Sequence, residues 1–187
     1  MLFCFHLLHI EKVINIELAI FSMLKYERIS LAKVYKLCKE LAAKVVKKTG
    51  KNSENFILVA ISRGGLVPAR LLADILNKNE VQCICAHSYT GIGKAKKQVK
   101  ITQFPNADLA NKELLVVDDI ADSGHTLALV KKMLEHKGAH VLIATLHYKP
   151  RSAIKPDFFV EQKPNTTWIV YPWEIHEFKK MTRSKAN

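Results

Sequence analysis

The sequence predicts an α/β fold: a mainly parallel β-sheet flanked by helices. Two observations predict it. Short apolar runs of strand length alternate along the chain with longer stretches whose apolar residues recur at helical spacing. The runs are apolar on both faces, as strands covered on both sides are. A third observation says where a ligand would bind. Two of these runs are followed at once by turns of small, charged and hydroxyl residues, "SRGG" at 62–65 and "DDIADSGHT" at 118–126. In parallel sheets of this kind, ligands bind beyond the carboxyl ends of the strands.

Taken in order, residues 30–48 form an amphipathic helix, with Leu31, Val34, Leu37, Cys38, Leu41 and Val45 on one stripe. Ser30 suits its N-cap, and Gly50 lies just past its end. Residues 56–61 form a buried strand. A helix over 67–77 follows, with Pro68 in its first turn. Residues 81–86 form the next strand. Residues 88–106 are polar, basic and aperiodic, and are expected to form a long loop of the length that functional lids have. A strand over 114–117, a helix over 126–136 closed by Gly138, a strand over 140–147 and a short strand near 157–160 complete the alternation. No internal repeat or low-complexity tract interrupts it.

The chain has 187 residues, enough for one domain with a sizeable core. Residues 1–22 are apolar but interrupted by Glu11, Lys12 and Glu17, too short for a membrane span. They lack the positive start and small-residue cleavage site of a signal peptide. They are expected to be an N-terminal extension, with Met23 as the start of a single domain over 23–187. The four cysteines, Cys4, Cys38, Cys83 and Cys85, show no metal-ligand spacing and suit reduced thiols of a cytoplasmic protein. A formal charge of +12 favours anionic partners, either nucleic acid or phosphorylated small molecules. The basic residues gather at 44–51, 94–100 and 179–185, without a single stripe of interleaved aromatics.

The acidic turn carries the most chemistry. Asp118 and Asp119 repel each other, so a divalent cation or several hydroxyl donors must offset their charge. A site with few protein carboxylates suits Mg²⁺, which keeps waters and takes oxygens from a substrate phosphate. A few residues on, Ser123, Gly124, His125 and Thr126 open a helix. Its unpaired N–H groups and positive dipole end suit a phosphate. Acids for sugar hydroxyls or a cation, followed by a phosphate seat, match the span of a phosphorylated sugar. Either half alone reads equally as a strand end or a helix cap.

The stretch "LLVVDDIADSGHT" resembles the 5-phosphoribosyl-1-pyrophosphate (PRPP) signature of the type I phosphoribosyltransferases. In the same order, "VAISRGGLVPARLLADIL" resembles the pyrophosphate loop of the xanthine-guanine branch, and "SYTGIG" its mobile loop. "YKP" and "TWIVYPWE" resemble its purine-binding hood, here about 149–178. The resemblance spans roughly residues 25–178 and implies the type I phosphoribosyltransferase fold.

It also implies roles. Asp118 and Asp119 would hold the ribose hydroxyls and Mg²⁺. Asp122 would act as general base near purine N7, and Asp122, Ser123, Gly124, His125 and Thr126 would cradle the 5′-phosphate. Ser62, Arg63, Gly64 and Gly65 would hold pyrophosphate, with Arg63 neutralising the charge that develops on departure. Ser88 and Tyr89 would close over the sugar and exclude water. Lys149 would donate to O6 of a 6-oxopurine, Trp168 would stack on the base, and Ile169 would meet its 2-position edge. Pro172, Trp173 and Glu174 read as hood scaffold, and Glu174 could in addition reach a metal or an amine. His125 departs from the glycine or lysine common at its position, and a side chain turned to solvent is expected.

The implied activity is purine salvage from PRPP and guanine, xanthine or hypoxanthine, in a homodimer or larger homo-oligomer without nucleic acid or a membrane span. One alternative is a PRPP-sensing nucleic-acid-binding regulator, which the charge favours. Another is a transferase for a different base, and Lys149 argues against adenine.

Overall fold

A computed structural model describes residues 25–50, 56–90, 97–105 and 108–183. The expected extension over 1–22 and the lysines at 51, 94, 96 and 185 lie outside the described residues. Two units are distinguished. The larger runs from Leu31 to Asn165; the smaller takes the described residues up to Ser30 and from Thr166 onward.

The larger unit is built on α1 (Leu31–Thr49), β2 (Phe56–Ser62), α2 (Leu66–Ile75), β3 (Val81–Thr90), β4 (Lys97–Gln103), β5 (Glu113–Ala121), α3 (His125–His136), β6 (His140–Tyr148) and β7 (Phe158–Gln162). The smaller unit holds β1 (Lys25–Arg28), β8 (Thr167–Val170), a 3-10 turn (Pro172–Glu174) and α4 (Ile175–Arg183). Six strands form one sheet in the order β4-β3-β2-β5-β6-β7. All neighbours are parallel except β3 and β4.

The helices form where the sequence places an apolar stripe. α1 buries Val34, Leu37, Cys38, Leu41, Ala42 and Val45, and α2 buries Pro68, Ala69, Leu72 and Ala73. Along the central strands alternate residues face opposite sides. Val59, Ile61, Leu114, Val116, Val141 and Ile143 pack with Leu127, Val130 and Leu134 of α3. The intervening Leu58, Ala60, Leu115, Val117, Ala144 and Leu146 are also buried. They serve the opposite face, where α1 lies against β6 and β7, and α2 against β2, β3 and β5. Each fully buried Leu or Ile contributes about 2 kcal/mol of apolar transfer energy.

Two expectations are corrected. The long loop over 88–106 is largely strand: β3 continues to Thr90, and Lys97–Gln103 returns antiparallel beside it. Val99 and Ile101 alternate with polar residues there. That two-residue period was hidden by the basic composition, and Ile101 packs on the core. The strand expected over 114–117 continues to Ala121, so Asp118 and Asp119 lie within it. It continues because β6 still pairs with it, through Asp118 opposite Thr145 and Ala121 opposite Tyr148. Its pairing with β2 stops at Val117, opposite Ala60.

The smaller unit holds a two-stranded parallel pair, with Lys25 opposite Thr167 and Arg28 opposite Val170. Tyr26 meets Phe178 of α4 edge to face at 5.0 Å, and the Arg28 guanidinium lies 5.7 Å from the same ring centre.

Candidate active site at the carboxyl ends of β2, β5 and β6

The turn after β2 is held by close backbone packing. The peptide bond between Ser62 and Arg63 is cis. The Gly65 N–H donates to Ile61 O at 2.8 Å and the Leu66 N–H to Arg63 O at 3.2 Å. A Cβ on Gly65 would sit 2.2 Å from Val117 O, and one on Gly64 would sit 2.6 Å from the Asp119 carboxylate. The first glycine of the pair thus packs on the second acid of the acidic turn, and the other on the strand that bears it. Arg63 is exposed beside this turn.

The acidic turn splits its three carboxylates. Asp119 is buried and Asp118 half-buried. Asp118 Oδ1 accepts the Asp119 N–H at 3.0 Å. Asp122 lies past the end of β5, where Lys149 Nζ donates to its Oδ2 at 2.9 Å. The Lys149 side chain is only 2% exposed, and a cation so deeply buried requires an anionic partner. Its backbone N–H donates to Ala121 O at 3.0 Å, fixing it beside the acid.

Past Asp122 the chain enters α3 through Gly124, at φ +73°. That angle favours glycine, and a Cβ there would lie 2.2 Å from Ser152 Oγ. Its N-cap residue, Gly124, has no side chain with which to cap the helix, and N–H groups at such a helix start suit an anion. Ser123 and His125 are exposed and Thr126 half-buried.

Sequence reasoning missed the segment after Lys149. Arg151 donates to Asp122 Oδ1 through Nε at 2.8 Å and also through Nη2. The Ala153 N–H donates to Ser123 O at 2.9 Å, tying this segment to the acidic turn. A basic residue two positions beyond Lys149 was the available signal. Nothing local in "KPRS" says that it turns back onto Asp122.

The structure therefore brings Gly64 against Asp119, Gly65 against Val117 of the same strand, and Lys149 against Asp122. The backbone of Ser88 and Tyr89 lies in β3, opposite Val99 and Gln98. In the smaller unit, Trp168 is 38% exposed on β8 and Ile169 is buried. Trp173 stacks on Tyr171 at 4.8 Å. Glu174 accepts the Tyr171 N–H at 3.5 Å, so it closes its own turn. Among the described residues no group of three or more His, Cys, Asp or Glu side chains could hold a metal ion. The carboxylate pair Asp118 and Asp119 fits Mg²⁺ that brings its other ligands with a phosphate, rather than a closed protein cage. Burial pushes the Cys38 thiol up to about 12, which leaves it a poor nucleophile.

Residues 28–177 match the phosphoribosyl transferase domain family. A xanthine-guanine phosphoribosyltransferase of Ruegeria sp. is 37% identical over 123 residues, covering 63% of this chain and 68% of that protein. The structure of a purine phosphoribosyltransferase from Pyrococcus horikoshii superposes with a TM-score of 0.69 at 30% identity, over 79% of this chain and 93% of that one. A xanthine-guanine-hypoxanthine phosphoribosyltransferase of Helicobacter pylori gives 0.69 at 29% identity, over 84% and 99%. With a site of carboxylates, glycine turn and open helix start at the same sheet edge, the chain belongs to the phosphoribosyltransferase family, and to its xanthine-guanine branch.

Proposed function

We propose that this protein is a purine salvage enzyme. It transfers the 5-phosphoribosyl group from PRPP to N9 of guanine, xanthine or hypoxanthine. The C1′–O bond to pyrophosphate breaks, the N9–C1′ bond forms, and the base gives up one proton. The observation that carries this reading is the pairing of Lys149 with Asp122 at the end of β5, 2.9 Å apart. It sets a buried donor for O6 beside a carboxylate able to take the N7 proton.

The other residues divide the remaining work. Asp118 and Asp119 hold the ribose hydroxyls and Mg²⁺, which when bound neutralises the pyrophosphate charge. Residues 122–126 seat the 5′-phosphate at the start of α3. Ser62, Arg63, Gly64 and Gly65 hold the leaving pyrophosphate, Ser88 and Tyr89 belong to the segment that shields the sugar, and Trp168 and Ile169 contact the base. No protein nucleophile is required; orientation and charge stabilisation supply the acceleration. We place the enzyme in the cytoplasm as a homo-oligomer. Among the described residues no helix is long and apolar enough to cross a membrane.

An activity panel with PRPP, Mg²⁺ and guanine, xanthine, hypoxanthine, adenine and uracil tests the reading. Turnover of at least one 6-oxopurine, with adenine and uracil inert, is expected. Salt-dependent RNA binding without turnover of any base would replace it by the regulator that the +12 charge favours.

A further inference from the structure

Asp122 is shared by two cations that differ in how easily they can leave. Lys149, on Oδ2, is 2% exposed, and losing the carboxylate would strand its charge in the protein interior. Arg151, on Oδ1, is 48% exposed. It occupies that oxygen with two donors, Nε and Nη2. An oxygen has two lone-pair positions, so Oδ1 offers nothing further. A purine presenting N7 to Oδ1 therefore competes with Arg151 and not with Lys149, which sits on Oδ2. The guanidinium can be exchanged into water at small cost, because half-exposed ion pairs contribute little.

From this geometry we propose that Arg151 is a positioning residue for base entry: it latches Asp122 until a 6-oxopurine displaces it. The inference rests on the transferase reading and deepens it. Arg151 raises the concentration of base needed to engage Asp122 and leaves PRPP binding alone. The latch is anchored independently of its charge, because the Arg151 backbone N–H donates to Asn165 Oδ1 at 3.1 Å. A change of side chain should therefore leave the segment in place.

Steady-state kinetics of the full chain test this, with each substrate varied in turn for wild type, Arg151→Ala and Arg151→Lys. Arg151→Ala should lower KM for the base about two- to fivefold, with KM for PRPP unchanged, the size expected for losing a half-exposed pair. Arg151→Lys, whose ammonium can still pair with Oδ1, should return the base KM toward the wild-type value. A base KM that is unchanged or raised in Arg151→Ala, in an enzyme that turns over, overturns the latch and leaves the transferase reading standing. No turnover of any 6-oxopurine by wild type overturns both.

Discussion

The turn after β2 and the turn after β5 lie at one edge of the sheet, yet different forces hold them. The first is held by packing. Its glycines admit no Cβ, since Val117 O would lie 2.2 Å from one on Gly65. The second is also packed at Gly124, but its acid is held by charge: Asp122 reaches across to Lys149 and Arg151. A packed turn has one arrangement, whereas a turn held by ion pairs can exchange partners. In the proposed transfer, leaving-group binding would use the first property and recognition of an incoming base the second.

Asp122→Asn should break the charged turn with the largest effect. It keeps the side-chain shape, removes the proton acceptor and leaves the buried Lys149 without its anion, and kcat should fall about 10²–10⁴-fold, the usual worth of a general base. PRPP binding, followed by calorimetry, should be nearly unaltered; an unchanged kcat removes Asp122 from the chemistry. Gly65→Ala should break the packed turn instead. Its methyl group meets two backbone carbonyls, Val117 O at 2.2 Å and Ile61 O at 2.8 Å, and backbone cannot step aside as a side chain tip can. A loss of about 2–3 kcal/mol in denaturant unfolding is expected. Wild-type stability in that variant would mean that the turn is held otherwise.

The smallest effect lies away from both turns and serves as a control. Glu161, on β7, is bonded by Lys33 and Lys163. Burial pushes its carboxyl up, but hydrogen bonds from Lys33 and Lys163 outweigh this and hold it down at about 2. A depressed carboxyl stabilises the fold above its unfolded value, roughly 4.3, and that share is lost as pH falls toward 2. Glu161→Gln should cost about 1 kcal/mol or less at neutral pH, and the gap to wild type should close between about pH 4.5 and 2. A gap that stays constant over that range would disprove the assignment.

The two turns were legible in the sequence to different depths. "SRGG" could be read as a tight turn because paired glycines advertise close approach. "DDIADSGHT" could be read as acids followed by a phosphate seat, because its residue types follow one another within nine positions. Its strand ended later than expected, at Ala121, because β6 continues to pair past the point where β2 departs. β4 was not legible at all, since the lysines flanking Val99 and Ile101 masked an alternation that only matters once β3 lies beside it. Nor could the sequence announce the pairing of residues 25–28 with 167–170, which joins segments far apart along the chain.

The sequence by itself determined the strand and helix alternation, the two functional turns and the identity of the acids. Those properties are local, set by periodicities of two and 3.6 residues and by the torsional freedom of glycine. Only the tertiary structure decided which partner each acid meets. Lys149 and Arg151 lie 27 and 29 residues from Asp122 along the chain. They reach it because β6 runs parallel beside β5 and delivers the next turn to the same edge.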